Sequence, residues 1–190
     1  MGIQGNKKEL IRQAAINIIS KYGFYNTTTA SIAEEAGVAV GTIYNYFTSK
    51  EGILEYIFAV ELEKRISYLK KIAGKDKSIY EKIEFFLEKH FTEIKENPSL
   101  GRILVREKDF SRKKGNIAIN EYLNKLPLLI EELLNKSIEE KALEPCNTYL
   151  ISTALFGAIQ GIVERAVGED DFNMLNQASR ELVKILRKGI

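Results

Sequence analysis

The apolar residues of this chain recur with the spacing of an α-helix, and this periodicity limits the fold more than any other feature. In residues 7–22 they lie on one helical face, whereas Arg12, Gln13 and Asn17 fill the other face. The apolar positions of this segment are Leu10, Ile11, Ala14, Ala15, Ile18, Ile19 and Tyr22. The alternating period of a strand never persists for more than a few residues. The pattern therefore predicts an all-α protein.

Residues that start or stop helices place the boundaries of the predicted elements. Thr28 and Ser49 can cap helices, because a hydroxyl oxygen accepts a free backbone N–H of the first turn. Gly23 and Gly37 supply the left-handed conformation in which helices often end, and Pro98 suits a first helical position. The predicted helices cover residues 7–22, 28–36, about eight residues from 40, 50–72, 78–96, a segment from 98, 117–140, 147–167 and 170–188, with a basic loop at 109–116.

Composition excludes several classes of protein. The 190 residues hold one cysteine, Cys146, and one histidine, His90, so they cannot build a disulfide framework or a zinc site of cysteines and histidines. A di-iron enzyme of the helical-bundle type needs more than one histidine. We therefore expect no enzyme, no metal and no cofactor, and we interpret His90 as a core or surface residue and Cys146 as an inert thiol.

Charge and hydropathy favour a cytoplasmic protein. The formal net charge is +2, and residues 1–50 contain five basic and three acidic side chains, so the excess positive charge lies at the N-terminal end. The first ten residues are polar, and we expect no apolar run of the roughly 18 to 20 residues that span a bilayer. Neither secretion nor a membrane partner is predicted.

Residues 27–47 have the pattern of a helix-turn-helix, in which two short helices cross at a steep angle. Ala33 is small where the helices would touch, and Gly37 permits the positive φ of the turn. Ile43 and Phe47 are four residues apart and must share a buried face. The spacing alone also fits a helical corner that binds no DNA.

Three motifs in this part of the chain resemble those of the TetR family of transcriptional regulators. They are T-T-x-x-x-I-A from Thr27, G-V-x-x-G-T-x-Y-x-Y-F from Gly37 and S-K-E-x-x-L from Ser49. The resemblance implies an N-terminal three-helix helix-turn-helix head that a long helix joins to a C-terminal helical bundle. It also implies a DNA-binding domain at residues 1–50 and an effector-binding and dimerisation domain at residues 51–190.

The second helix of the motif is short enough to enter the major groove, which is roughly 12 Å wide and displays the base edges. Asn45 and Thr42 can read base edges, Val40 suits thymine methyl groups, and Gly41 allows close approach of the backbone. Family members use the matching polar positions for phosphate oxygens, which position a protein on DNA without conveying sequence. The candidate phosphate contacts are Thr28, Thr29, Tyr44, Tyr46 and Lys50.

The body of the chain has features of a ligand pocket. Apolar residues of the predicted fifth helix either line a pocket between helices or form a packed core. Two arginines near the basic loop either bind phosphate groups at the mouth of such a pocket or form a solvated face. Residues 149–162 resemble the eighth helix of family members that respond to fatty acyl-CoA, and Gln160 there either orients a ligand or is a hydrogen-bonded core residue. The candidate effector-binding residues are Phe86, Phe91, Arg102, Arg106, Phe156 and Gln160.

Small residues in the penultimate helix would let another helix approach closely, which predicts a four-helix interface between two copies of the chain. The candidate interface residues are Ala154, Ala158, Gly161, Ile162, Leu175, Leu182 and Leu186. The favoured hypothesis is thus a homodimeric repressor that binds an inverted-repeat operator in double-stranded DNA and is released by a hydrophobic effector, with a fatty acyl-CoA as the leading candidate. The alternative is a helical lipid carrier without specific DNA recognition.

Overall fold

The computed structural model describes residues 3–108 and 117–189, and within these ranges the fold is all-α without strands. The predicted basic loop, with Arg112, Lys113 and Lys114, lies outside the described residues. The helices are α1 (Ile3–Tyr22), α2 (Thr29–Glu35), α3 (Val40–Tyr44), α4 (Lys50–Ala73), α5 (Ile79–Glu96), α6 (Pro98–Arg106), α7 (Ile117–Glu139), α8 (Thr148–Glu169) and α9 (Leu175–Gly189), with a 3₁₀ turn at Phe172–Met174.

Capping residues start most of these helices where the sequence predicts. Thr28 caps α2 in a capping box, in which its hydroxyl accepts from the backbone N–H of Ser31 at 3.0 Å and its own N–H donates to the Ser31 hydroxyl at 3.1 Å. Ser49 caps α4 by accepting from the N–H of Gly52 at 3.1 Å. Ala39, by contrast, gives α3 no side-chain cap.

The third helix is shorter than predicted. It contains five residues rather than about eight. The N–H of Asn45 donates to the carbonyl of Thr42 at 3.2 Å, and the N–H of Tyr46 donates to that of Ile43 at 3.0 Å. These bonds span three residues, so the chain tightens into a turn that brings Phe47 to the core.

Helix α1 is buried on more than one side, because it packs against α2, α4 and α6. Ile11 and Ile16 are fully enclosed there. Arg12, which the periodicity places on the polar face, is also buried, so that prediction is wrong. Helical periodicity identifies the apolar face of α1, but it cannot predict that α4 covers a second face of the same helix.

The long helix α4 joins the three-helix head to the rest of the chain. It packs against α1 on the head side and against α5 and α7 on the other side, while α5 packs against α9 and α8 packs against α6 and α7. The α1–α6 contact adds hydrogen bonds between the two parts. Arg106 Nη1 donates to the Ser20 carbonyl at 3.3 Å, and the Phe24 N–H donates to Glu107 Oε1 at 3.2 Å.

Helix α8 departs from the expectation that no segment could span a bilayer. Its 22 residues have a mean hydropathy of 1.3 over the most apolar window. By length and composition alone, the helix is therefore long and apolar enough to cross a membrane. A core helix of a soluble protein passes the same test, so one such helix is weak evidence for a membrane span.

Candidate nucleic-acid interface and ligand cavity

Helices α2 and α3 form the corner that the motif predicts. Ile43 and Phe47 are buried, and Gly37 has a φ of +64°, as the turn requires. The opposite face of α3 is open, because Val40, Gly41, Tyr44 and Asn45 are exposed and Thr42 is half-buried. The head therefore presents a short helix whose outer face is free to contact another molecule.

A hydrogen bond joins the two helices on this open face. The hydroxyls of Thr29 and Tyr44 lie 3.3 Å apart, which holds the Tyr44 ring beside the start of α2. Thr28 remains exposed although its hydroxyl caps α2. The assignment of these three side chains to phosphate contacts stays a prediction.

Lys50 and Tyr46 are placed differently from the other candidate phosphate contacts. Lys50 Nζ donates to the backbone carbonyls of Phe24 at 2.7 Å and Thr27 at 2.6 Å and lies 4.3 Å from the centroid of the Phe24 ring. Tyr46 is half-buried and packs against the core. Lys50 therefore holds the α1–α2 connection in place, and two of its three donors are occupied.

A cavity lies among α5, α6, α7 and α8. Its walls are mostly apolar, and the sequence-predicted residues Phe86, Phe156 and Gln160 are part of them. The complete lining is Phe86, His90, Ile94, Leu104, Val105, Lys108, Tyr122, Leu126, Phe156, Ile159, Gln160 and Val163. The volume of the cavity is only about 30 Å³, which is room for very few waters. A larger ligand must push side chains apart as it enters.

The structure does not bring the other three predicted effector residues to this cavity. Phe91 is buried on another side of α5, whereas Arg102 and Arg106 line a separate cleft between α1 and α6. Arg102 pairs with Asp170 at 2.5 Å. Both arginines thus serve contacts between helices and not the mouth of the cavity. Lys108 is the lysine of the cavity wall, and helical spacing in the sequence gives no signal for it.

Sequence analysis also missed a buried polar cluster next to the cavity. Arg65 and Glu61, on α4, are both fully enclosed and form an ion pair. Glu61 also pairs with Arg12 of α1 at 3.3 Å, and Arg65 Nη1 lies 3.3 Å from Glu93 Oε2 of α5. Arg65 Nε donates to His90 Nδ1 at 3.3 Å. A chain of polar contacts therefore runs from the head helix α1 to the cavity wall.

The charges in this cluster decide the ionisation of its members. Burial by itself would raise the pKa of Glu61, but the positive charges of Arg65, Lys64 and Arg12 outweigh it, and the pKa is lowered. Burial lowers the pKa of His90 well below its usual value, and the charge of Arg65 lowers it further. The cluster thus holds Glu61 as a carboxylate and His90 as a neutral imidazole.

Because His90 is neutral in the folded protein, we expect the stability of the fold to depend on pH. The folded ring has a lower pKa than the unfolded ring, so the unfolded state binds more protons below about pH 6.5 and unfolding is favoured there. As the pH is lowered below about 6.5, the free energy of unfolding is expected to fall by up to about 1.4 kcal/mol for each pH unit. His90 is the single histidine, so urea unfolding of His90→Gln should show no such slope between about pH 6.5 and 5.5. An equal slope in both proteins would contradict the assignment.

The candidate interface residues divide between an open face and the core of the protomer. Ala154 and Gly161 are exposed, Ala158 and Ile162 are half-buried, and a Cβ added at Gly161 would meet nothing within 4 Å. On α9, however, Leu175 and Leu182 are buried and Leu186 packs against the core, so these three face inward. Ile185, which the sequence analysis did not select, is 68% exposed on the outer side of α9.

The described residues contain no group of three or more histidine, cysteine, aspartate or glutamate side chains that could hold a metal ion. His90 is enclosed in the core, which agrees with one of its two sequence interpretations. Cys146 is a half-buried free thiol.

Family models match nearly the whole chain. Residues 11–57 match the model described as bacterial regulatory proteins of the tetR family, and residues 58–189 match the C-terminal region of YsiA-like proteins. The division of the domains at residue 50, where α4 begins, stays a prediction.

Individual relatives agree with these matches. The chain is 28% identical over 181 residues to the fatty acid metabolism regulator protein of Bacillus subtilis, covering 95% of this chain and 93% of the relative. It is 26% identical over 174 residues to the nucleoid occlusion factor SlmA of Vibrio vulnificus, covering 88% of this chain and 87% of the relative.

Solved structures show the same fold. The fatty acid degradation regulator FadR from Bacillus halodurans matches with a TM-score of 0.84 and 25% identity, over 96% of each chain. FadR from Bacillus subtilis, in complex with stearoyl-CoA, matches with a TM-score of 0.83 and 26% identity, over 96% of this chain and 98% of that chain. With a helix-turn-helix head and a helical body that both match along their length, the chain belongs to the TetR family of transcriptional regulators.

Proposed function

We propose that the protein is a ligand-responsive repressor that binds an inverted-repeat DNA operator as a homodimer and leaves it when a fatty acyl-CoA enters the body. The observation that carries this proposal is an open α2–α3 face in the head together with an apolar cavity in the body. The proposal also places the protein in the cytoplasm, where it meets the chromosome.

The chemistry of the cavity supports an acyl ligand. Eight of its lining side chains are aliphatic or phenylalanine residues, which suit a hydrocarbon chain. Lys108 lies on the wall and forms an exposed ion pair with Glu164 at 3.1 Å, which a phosphate of coenzyme A can displace because basic side chains bind phosphates. Four residues later the sequence continues with Arg112-Lys113-Lys114. The relative FadR from Bacillus subtilis was solved in complex with stearoyl-CoA, which favours the same class of ligand here.

The small size of the cavity supports a conformational response. A long acyl chain does not fit into about 30 Å³, so its entry must displace side chains of α5, α6, α7 or α8. Helix α6 contacts α1 of the head through Arg106 and Ser20, so a shift of α6 changes the support of the head. Effector and operator then bind with reciprocal coupling, typically about 1 to 3 kcal/mol.

The exposed strip of α8 supports a homodimer. Two copies related by a two-fold axis can pack such strips against each other, because small residues let the backbones approach closely. The exposed small residues Ala154 and Gly161 of α8 provide such a strip, and α9, which packs against α8, adds the exposed apolar residue Ile185. Burial against a second copy also accounts for the high hydropathy of α8 in a protein that binds DNA.

Gly161→Arg is expected to convert the dimer into monomers. The protomer has open space at this position, so the variant should retain its helical content, whereas a charge in the interface opposes association. Light scattering coupled to size-exclusion chromatography measures the mass. Thr92→Arg, at an exposed position of α5, is the matched control and should stay dimeric. If the Gly161→Arg protein is still a dimer, the interface does not include Gly161 and the proposed location is wrong.

The proposed function is tested by selecting the purified protein on randomised duplex DNA at about 0.15 M salt, where non-specific phosphate binding is weakened. Enrichment of one inverted repeat is expected, and palmitoyl-CoA should then release the enriched DNA. Tight acyl-CoA binding without enrichment of any sequence would favour a lipid carrier. Enrichment without release by acyl-CoA would keep the regulator and reject this class of effector.

A further inference from the structure

His90 stands out in the wall of the cavity, because it is a polar residue between aromatic neighbours. Its ring stacks on Phe86 with centroids 6.3 Å apart and meets the edge of Phe91 with centroids 5.5 Å apart. The side chain is at least nine-tenths buried, and it lines the cavity. Burial of a polar side chain in such surroundings is costly unless each of its polar atoms has a partner.

The contact with Arg65 decides which ring nitrogen carries the proton. Arg65 Nε can only donate, so His90 Nδ1 accepts with its lone pair and the hydrogen of the neutral ring is on Nε2. Arg65 is itself held by the carboxylates of Glu61 and Glu93. The polar cluster therefore presents His90 to the cavity as a fixed hydrogen-bond donor.

This donor has no acceptor within the described part of the chain. The hydrogen bond to Arg65 uses Nδ1, and no described residue accepts from Nε2. Among the described residues, the fully enclosed side-chain atoms without a hydrogen-bond partner are Arg65 Nη2 and Glu93 Oε2. His90 Nε2 is not one of them, so this atom retains some accessible surface, and the cavity is the space that the His90 side chain lines. An oxygen atom of a ligand would satisfy it.

We infer that His90 is a ligand-binding residue whose Nε2–H donates a hydrogen bond to the thioester carbonyl oxygen of an acyl-CoA in the cavity. This inference rests on the proposed function, which supplies the acyl-CoA. The carbonyl is the acceptor that every acyl-CoA carries, whatever the length of its chain. His90 thereby selects for an acyl group against an alkyl group of the same length, because an alkyl chain would leave the buried donor unpaired.

A pair of matched ligands tests this without altering the protein. Palmitoyl-CoA and its thioether analogue S-hexadecyl-CoA have the same chain and the same coenzyme A, and the analogue lacks only the carbonyl oxygen. Isothermal titration calorimetry is expected to show that the wild-type protein binds palmitoyl-CoA about 5- to 100-fold more tightly. Equal affinities would overturn the role of His90 while leaving the proposed effector intact, and absence of binding by both compounds would overturn both proposals.

Two variants then assign the preference to this side chain. His90→Phe keeps a ring beside Phe86 but removes the donor, so the ratio of the two affinities should fall to about one. His90→Gln restores both functions, because its amide oxygen can accept from Arg65 and its amide nitrogen can donate to the ligand, and it should keep a clear preference for the thioester. Circular dichroism serves to check that both variants are folded, and a preference that survives in folded His90→Phe would overturn the assignment.

Discussion

Replacing Glu61 by leucine is expected to lower the free energy of unfolding by about 3 to 5 kcal/mol, because the change leaves the enclosed guanidinium of Arg65 without its nearest carboxylate. Arg65 is fully buried, so water cannot replace the lost partner. Glu93 Oε2 lies 3.3 Å from Arg65 Nη1, but the two atoms do not have the geometry of a hydrogen bond. The loss therefore exceeds that of a surface ion pair, which is about 0 to 1 kcal/mol.

Urea denaturation at one fixed protein concentration measures this loss, since the stability of the proposed dimer would depend on concentration. The double variant Glu61→Leu/Arg65→Met removes both charges and should recover much of the stability. Glu63→Leu, at an exposed position of the same helix, is the matched control and should change stability by less than about 0.5 kcal/mol. A loss below about 1 kcal/mol in Glu61→Leu would mean that Arg65 finds another partner.

The ion pair also sets how stability responds to acid. The folded pKa of Glu61 is lowered, so its contribution is complete above the unfolded value of about 4.3 and is lost as the pH falls through the folded value. This range lies below the one assigned to His90. The two groups can therefore be told apart in one pH series, with His90→Gln affecting the upper range and Glu61→Leu the lower.

The parts of the structure that sequence predicts well depend on residues close together in the chain. The capping box of Thr28 spans three residues, and the buried pair Ile43 and Phe47 spans four, so both are visible in a short window. Gly37 adopts the positive φ that its position in the turn requires. The TetR motif is made of such local features, which explains why the sequence predicts the helix-turn-helix corner.

The parts that sequence missed depend on contacts between distant residues. Arg12 meets Glu61 across 49 residues, and Lys50 meets Phe24 across 26, and no periodicity relates such positions. Arg12, Glu61 and Lys50 are charged, so a window of sequence predicts them to be exposed. Sequence predicts Leu182 in the interface because it is apolar, but only the fold shows that it is buried within the protomer, on a helix that packs against α5.

The same reasoning limits the prediction of the cavity. Helical spacing identifies Phe86 and Phe91 equally as inward residues, yet only Phe86 reaches the cavity and Phe91 packs elsewhere in the core. Arg102 and Arg106 look like an anion site because they lie four residues apart, but one pairs with Asp170 and the other bonds the carbonyl of Ser20. Which charges remain available to a ligand is decided by these tertiary partners.

Gly41→Glu is expected to weaken binding to the selected operator by about 10- to 100-fold without lowering the stability of the protein. Gly41 is exposed on α3, and a Cβ there would meet nothing within 4 Å, so the protein has room for a side chain. Replacing glycine in an exposed helix also improves helix propensity. The added carboxylate would stand between α3 and the DNA, where it blocks close approach and is repelled by phosphates.

Electrophoretic mobility shift or fluorescence anisotropy measures the affinity for the operator, and thermal unfolding measures the stability. Gly74→Glu, which adds the same group at an open position after α4, is the matched control and should bind the operator like the wild type. Gly41→Gln separates the two causes, because an uncharged side chain of the same size should also lose affinity if close approach matters, although less than glutamate. Wild-type affinity in both Gly41 variants would mean that α3 does not enter the groove, since no side chain of that size can be added to a helix that lies against base edges without moving it.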